Sequence, residues 1–195
     1  MQSPLSIKNI KISLFVQSNL APCNIKTQFN GHKLAFRVYS TSSQRVNVTG
    51  IRSYQEMLDV QQRLKSANVF SHIHHMTIDS IFASRKLPAP VYFNMDAVYQ
   101  HAKNIVPRHK YSVYYNAEEG SKCLLLPKVQ PKKTKKINLK KLFKRQSIQR
   151  PPQITLFHTG SVTVMGLKSL SQIDHVNQLI CRILKDELQL KQQSG

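Results

Sequence analysis

Alternating apolar and polar residues predict β-strands in the first fifty positions. Over 10–16 every second residue is Ile, Ile, Leu or Val, and Lys and Ser stand between them, which is typical of a strand with one buried face. Similar runs predict strands over 25–29, 34–39 and 45–49. The dipeptide Asn30-Gly31 predicts a tight hairpin turn between the first two of these runs.

A helical period follows the fourth strand. Ser53 and Glu56 form a capping box, so a helix is expected to begin there and to end near residue 68. Farther along, the pattern predicts a strand over 76–82, a helix from Asn94 to about residue 105, and strands over 111–115 and 123–126. A last hairpin is predicted within 154–165, and a final helix capped by Ser171 with Asp174.

One segment occurs twice. The pattern Val-x-Val-x-Gly-apolar-basic-Ser begins at Val46 and again at Val162, each time after a strand and before a helix. Such a duplication predicts two repeats, over 1–70 and 71–190, related by pseudo-twofold symmetry. Each would contribute antiparallel strands with a long helix across one face, which leaves the other face of a joint sheet bare.

Alternation also predicts which side chains line that bare face. If Val162 and Val164 point to the helices, their neighbours point away. The outward residues are then Arg37, Tyr39, Arg45, Asn47 and Thr49 in the first repeat, and Thr155, Phe157, Ser161, Thr163 and Met165 in the second. A one-residue slip of register would instead place Phe157 in the core.

The charge indicates a polyanionic partner. The 195 residues include 29 Lys and Arg against 9 Asp and Glu, a net charge of +20, which favours nucleic acid. A run over 128–150 has many cations and no acid, and is expected to be a phosphate-binding insertion. Its predicted contacts are Lys132, Lys133, Lys135, Lys136, Lys140, Lys141, Lys144 and Arg145.

Several classes are disfavoured by what the sequence lacks. No apolar run approaches the roughly 18 residues of a membrane span, and no leader is expected. Three widely spaced cysteines argue for a reducing compartment. We expect no catalytic residue, metal or cofactor, because no phosphate loop, nucleophile elbow or metal signature is present. For 71–75, Ser-His-Ile-His-His, an inter-repeat linker is preferred over a zinc site.

The repeated segment in the second half of the chain resembles the signature of a known family. LFHTGSVTVMGLKS, within 156–169, resembles the LIFxSGKxVxTGAKS signature of the TATA-box-binding protein (TBP) family. MTIDSIF, the Asn94 helix and YYNAEEGSKCLLL follow the order of a whole repeat of that family. The resemblance implies an α+β saddle, one curved antiparallel sheet with long helices on its convex face, with the first repeat shortened.

The resemblance also implies a function and a site. It predicts a transcription initiation factor that binds the minor groove of double-stranded DNA and recruits a TFIIB-like factor and RNA polymerase. Phe157 matches a phenylalanine that wedges into a base step, and Tyr39 stands at the equivalent position of the first repeat. Groove contacts are expected from Asn47, Thr49, Thr163 and Met165, with Asn9 and His75 at the family's central asparagines and with Thr77 and Lys168. Glu118 and Glu119 match acidic residues that dock the partner.

The sequence departs from the family in ways that leave alternatives open. No aromatic occupies 119–121, where a second wedge is expected, so bending should be weak. The alternatives are a nucleic-acid module without sequence specificity and a basic ribosomal-type protein. The eroded signature favours a fast-evolving lineage, such as a large DNA virus. We expect a monomer, located in the nucleus or, for a virus, in a cytoplasmic viral factory.

Overall fold

The structure, a computed structural model, describes residues 4–17, 21–39, 45–67, 70, 72–86, 92–128 and 151–192, with side chains in the last range up to Lys185. The chain divides into two compact units. The first unit consists of Ser3–Arg85 and Leu167–Ile173, and the second mainly of Lys86–Gly166 and Asp174–Gly195. The predicted insertion lies outside the described residues, apart from Lys128.

The first unit contains five strands and one helix in its described part. They are β1 (Ser6–Gln17), β2 (Cys23–Phe29), β3 (His32–Val38), β4 (Arg45–Ile51), α1 (Tyr54–Ser66) and β5 (His72–Arg85). The strand order is β2-β3-β4-β1-β5, and all described pairings are antiparallel. The β2–β3 hairpin turns at Asn30 and Gly31, both with positive φ, as the sequence predicts.

Helix α1 is held over one face of this sheet. Its N-cap is Ser53, whose Oγ accepts from the Glu56 backbone N–H at 3.0 Å, so the predicted cap is confirmed. The buried Glu56 carboxylate accepts from the Arg52 N–H at 2.5 Å and lies 2.8 Å from Nε2 of the buried His32 on β3. Arg63 lies over the ring of Phe29 on β2. The helix therefore contacts the face that carries the apolar residues of β4 and β1.

The second unit has four strands and two helices in its described part. They are α2 (Met95–Ile105), β6 (Tyr111–Tyr115), β7 (Lys122–Pro127), β8 (Gln153–Phe157), β9 (Val162–Leu167) and α3 (Leu170–Gln192). The last residue of β9 and the first four residues of α3 are assigned to the first unit. The strand order is β9-β8-β7-β6, and α2 contacts β6 and β7. The cap of α2 is confirmed, because Asn94 Oδ1 accepts from the Asp96 and Ala97 N–H groups.

The predicted α+β class is confirmed, because the described residues form antiparallel strands and three helices. Residues 18–22 alone join β1 to β2, whereas α2 lies between β5 and β6. Since β5 belongs to the first unit, the two units do not coincide with the predicted repeats 1–70 and 71–190, and the shortened first repeat stays a prediction. Two details of the prediction are wrong. Residues 72–75 belong to β5 and are not a linker, and α3 begins at Leu170, so Ser171 lies inside its first turn.

The repeated segment forms the same local structure twice. The Tyr39 N–H bonds to the Arg45 carbonyl at 3.1 Å, and the Phe157 N–H bonds to the Ser161 carbonyl at 2.9 Å. The next-to-last residue of the strand that follows is in each case a glycine of positive φ. Two residues after that glycine, a backbone N–H bonds to a side chain of the following helix, Arg52 to Glu56 and Lys168 to Gln172.

Candidate nucleic-acid interface

The first unit carries a polar row on the face opposite α1, here named the first open face. Register pairs Arg37 with Asn47, Asn47 with Ser13, and Ser13 with Thr77, so this row crosses β3, β4, β1 and β5. The alternate residues, such as Val46, Val48 and Leu14, are completely buried on the other face. The outward direction predicted for Arg37 and Asn47 follows from this alternation.

A hydrogen-bond network joins five side chains of the first open face. Arg45 donates from Nε and Nη2 to Ser13 Oγ at 3.0 and 2.7 Å, and from Nε to Asn47 Oδ1 at 3.1 Å. Ser13 Oγ donates to Asp79 Oδ2 at 2.6 Å, and Arg45 Nη2 lies 3.2 Å from the same oxygen. Asn47 Nδ2 donates to the Tyr39 hydroxyl at 3.0 Å. These bonds hold Arg45 and Asn47 in place before any ligand arrives.

Aromatic rings border this network. The Tyr39 ring lies 5.3 Å from the Arg37 guanidinium and 5.9 Å from that of Arg45. Phe15 and His75, paired on β1 and β5, stack with ring centroids 4.1 Å apart and an interplanar angle of 10°. Aromatic and guanidinium planes of this kind are suited to stacking on nucleic-acid bases.

Three further predicted residues have structural contacts in the first unit. The Asn9 amide oxygen accepts from the Gly50 N–H at 2.8 Å. The Lys168 ammonium donates to the Asp79 backbone carbonyl. Thr49 is half-buried and pairs with Ala35. Asn9 therefore supports the β4 glycine as well as lying in the predicted site.

The second unit presents a different row, here named the second open face. Register places Tyr114 opposite Leu124, Leu124 opposite Thr155, and Thr155 opposite Thr163, across β6 to β9. Two residues farther along β9, Met165 pairs with Gln153 of β8 on the same face. Both Met165 and Tyr114 are 53% exposed. This face is rich in apolar, aromatic and threonine side chains.

Phe157 lies on the second open face as predicted. It pairs with Lys122 and is half-buried, whereas its neighbour Leu156 is 1% exposed in the core. The alternative register, with Phe157 in the core, is therefore wrong. Ser161 is half-buried beside it, and its hydroxyl lies 3.3 Å from the Thr159 hydroxyl that donates to it.

Two predicted contact residues are more enclosed than alternation suggests. Asn47 is 4% exposed because Ser13, Arg45 and Tyr39 surround its amide, and Thr155 is 8% exposed. A ligand reaches Asn47 only after these neighbours move. Thr77 and His75 are exposed on β5.

Sequence reasoning missed five residues of the open faces. Ser13, Phe15 and Asp79 belong to the first face, and Tyr114 and Leu124 to the second. Alternation within β1 places Ser13 on the side opposite the core, and the same alternation predicts that side for Phe15. Asp79 and Tyr114 required the cross-strand register, which no local pattern contains.

The predicted partner residues lie on an exposed turn between β6 and β7. Glu118 N–H bonds to the Asn116 side chain at 3.1 Å, and Glu119 pairs with Lys122 at 3.5 Å. An exposed pair of this kind contributes little to stability. The eight predicted phosphate contacts of the insertion lie outside the described residues, so they stay a prediction.

Among the described residues, no three His, Cys, Asp or Glu side chains stand close enough together to hold a metal ion. Burial raises the pKa of Cys123 and that of Tyr111 to about 12, which keeps the Cys123 thiol protonated and unreactive at neutral pH. None of the described helices is both long and apolar enough to span a membrane.

Comparison with known proteins supports the fold. The structure is similar to that of TBP from Methanococcus jannaschii, with a TM-score of 0.57 over 94% of this chain and 99% of that chain. The two sequences are 16% identical, so the likeness defines a TBP-like fold and no more. No protein-family profile matches the chain, and no curated protein matches it.

Proposed function

We propose that this protein is a DNA-binding transcription factor that contacts the minor groove of duplex DNA through its two open faces. The observation that carries the proposal is the TBP-like fold. The first open face supports it, since it lies on the side of the sheet opposite α1 and carries a polar row. The net charge of +20 supports binding to a polyanion. The repeated hairpin, glycine and helix support a pseudo-twofold saddle.

The two open faces supply what groove binding needs. Polar side chains of small size, such as Thr163 and Thr77, suit base edges, and Phe157 is suited to insertion at a base step. Wedging costs unstacking energy that only additional contacts offset. With a single described wedge in the second unit, the protein should bend DNA less than a protein with two wedges in each repeat.

The test is binding and bending on a panel of short duplexes, with and without a TATA element, at several salt concentrations. We expect binding, a bend, and a preference for A·T-rich sequence. Equal binding to all duplexes without a bend would favour a module without sequence specificity. Binding to structured RNA in preference to every duplex would favour the ribosomal-type alternative.

A matched pair of variants tests whether the second open face is the contact surface. Met165→Glu adds one negative charge to the exposed part of this face, and Gln100→Glu adds the same charge to the exposed side of α2. Because an acid against phosphate is repelled, we expect Met165→Glu to weaken binding about tenfold and Gln100→Glu to have little effect. Equal losses would place the contact elsewhere.

We further propose that the Glu118–Glu119 turn docks a basic TFIIB-like factor and, through it, RNA polymerase. The support is a local reversal of charge: two of only nine acids stand side by side and exposed. Glu118→Lys with Glu119→Lys should keep DNA binding and lose the factor. Asp96→Lys with Asp174→Lys makes the same change of charge on α2 and α3, and should retain it. The proposal fails if both double variants recruit the factor equally.

The remaining parts of the proposal follow from this role. We expect no enzymatic activity, a monomer, and a location where transcription takes place, either the nucleus or a viral factory.

A further inference from the structure

Asp79 is the only acid on the first open face within the described residues. The other described acids lie on α1, on α2, on the β6–β7 turn and on α3. Its carboxylate is partly enclosed, with 21% of the side chain exposed. An acid on a face that binds phosphates repels them, so its presence calls for a reason.

The geometry shows what Asp79 holds. Its Oδ2 accepts the Ser13 hydroxyl at 2.6 Å and lies 3.2 Å from Arg45 Nη2, while Ser13 Oγ accepts from the same guanidinium. Two of the three nitrogens of Arg45, Nε and Nη2, are therefore engaged within the protein. The side chain is nevertheless 40% exposed, so a ligand can reach it.

We infer that Asp79 is an internal competitor for Arg45 that limits binding of DNA phosphates to the first open face; this rests on the proposed function. Carboxylate and phosphate oxygens bind a guanidinium in the same way. A phosphate that takes Nη2 of Arg45 must displace Asp79, and the freed carboxylate then faces the DNA. The cost opposes sequence-independent contacts, which phosphates provide, and leaves contacts to bases unaffected.

The second unit shows that the repeated hairpin does not need this ion pair. Ser161 stands at the position equivalent to Arg45, since each supplies the carbonyl that closes its hairpin. The hairpin forms there without a cation at that position. Asp79 and Arg45 are thus an addition to the first open face, and their effect should be on binding more than on folding.

The test uses three variants and one control, each titrated with salt against a TATA-containing duplex and an unrelated duplex. Asp79→Asn keeps the size of the side chain and removes its charge. Asp59→Asn removes the same charge from α1. Arg45→Gln removes the guanidinium, and the fourth protein combines Asp79→Asn with Arg45→Gln.

We expect Asp79→Asn to strengthen binding to the unrelated duplex by up to about fivefold, the scale of one exposed ion pair. Its plot of log affinity against log salt should steepen by about 0.9, the value for one added phosphate contact. Asp59→Asn should do neither. The double variant should return to the slope of Arg45→Gln, because the gain depends on Arg45.

Two results would overturn the inference while the wild type still binds DNA: equal slopes for Asp79→Asn and Asp59→Asn, or a gain that persists without Arg45. Asp79→Ser provides the same comparison if Asp79→Asn folds poorly, as judged by circular dichroism. A wild type that binds neither duplex would overturn the proposed function itself, so the two failures are distinguishable.

Discussion

The two units form the same hairpin, but the side chains around it differ: they are charged and polar in the first unit and partly apolar in the second. Tyr39 and Phe157 each open the loop with a backbone bond, to Arg45 at the start of β4 and to Ser161 just before β9. Around Tyr39 stand two arginines and a network of hydrogen bonds. Phe157 stands on a face with Thr155, Thr163 and Leu124.

This difference shows which residues the backbone of the repeated segment requires and which residues are free to differ. The buried valines and the glycine of positive φ are common to both copies, and they determine the backbone. The residues on the open faces alternate with them and are not restricted by the core. The first unit therefore offers a fixed polar surface, and the second a partly apolar one.

The largest expected effect comes from the two glycines that are next to last in β4 and β9. An alanine Cβ at Gly50, where φ is +101°, would clash with the Lys33 carbonyl oxygen, so the backbone must move. At Gly166, with φ of +89°, the nearest atom is Pro152 Cα at 4.0 Å. We expect Gly50→Ala to cost about 3 kcal/mol of unfolding free energy or more, and Gly166→Ala about 1–2 kcal/mol from backbone strain alone.

Hydrogen exchange of β4 and β9 amides measures both glycine variants, because it reports each unit separately. Similar losses at the two sites would mean that the close approach in the first unit relaxes without cost.

The next effect compares the two aromatics. Phe157→Ala should weaken DNA binding by roughly 1–3 kcal/mol and reduce the bend, because the ring is free to stack on a base. Tyr39→Ala should weaken binding by less than about 1 kcal/mol, since the ring is already flanked by Arg37 and Arg45 and its hydroxyl bonds to Asn47. Fluorescence anisotropy gives the affinities, and gel mobility of phased duplexes gives the bend. The comparison breaks down if Phe157→Ala folds and bends DNA normally.

The smallest effect concerns the serines that precede the two repeated helices. Ser53 Oγ accepts from a helix N–H, whereas the contact described for Ser169 Oγ is with the Ser171 hydroxyl at 2.9 Å. Ser53→Ala should therefore cost about 1 kcal/mol of stability, and Ser169→Ala a few tenths. Denaturant unfolding compares them, and a larger loss at Ser169 would show that it caps α3 in solution.

Much of the fold was predictable because its signals are local. The Asn30-Gly31 turn, the Ser53 and Asn94 caps and the repeated segment each require only a few neighbouring residues, and each is present. The face of Phe157 was predictable from alternation alone, since Leu156 and Val162 are plainly apolar.

The rest depends on contacts between distant residues. Residues 72–75 were predicted as a linker because three histidines in five positions do not alternate in the usual way, yet the last three residues of β1 pair with them. The Ser13, Arg45 and Asp79 network joins residues 32 to 66 positions apart. Only the register between β4, β1 and β5 brings these side chains together, and that register is a property of the folded sheet.

Strand β2 forms an edge of the sheet in the first unit. Strand β2 ends the order of that sheet, and Asn24, Lys26 and Gln28 alternate along it, all exposed. Main-chain groups on such a strand would pair with another copy of the chain, which is how many β proteins aggregate. An antiparallel meeting of two β2 strands near their centres brings two Lys26 ammonium groups together, and the repulsion opposes it. A single lysine in mid-strand is therefore expected to oppose edge-to-edge pairing at high concentration, where no strand or helix of the described residues pairs with the outer side of β2.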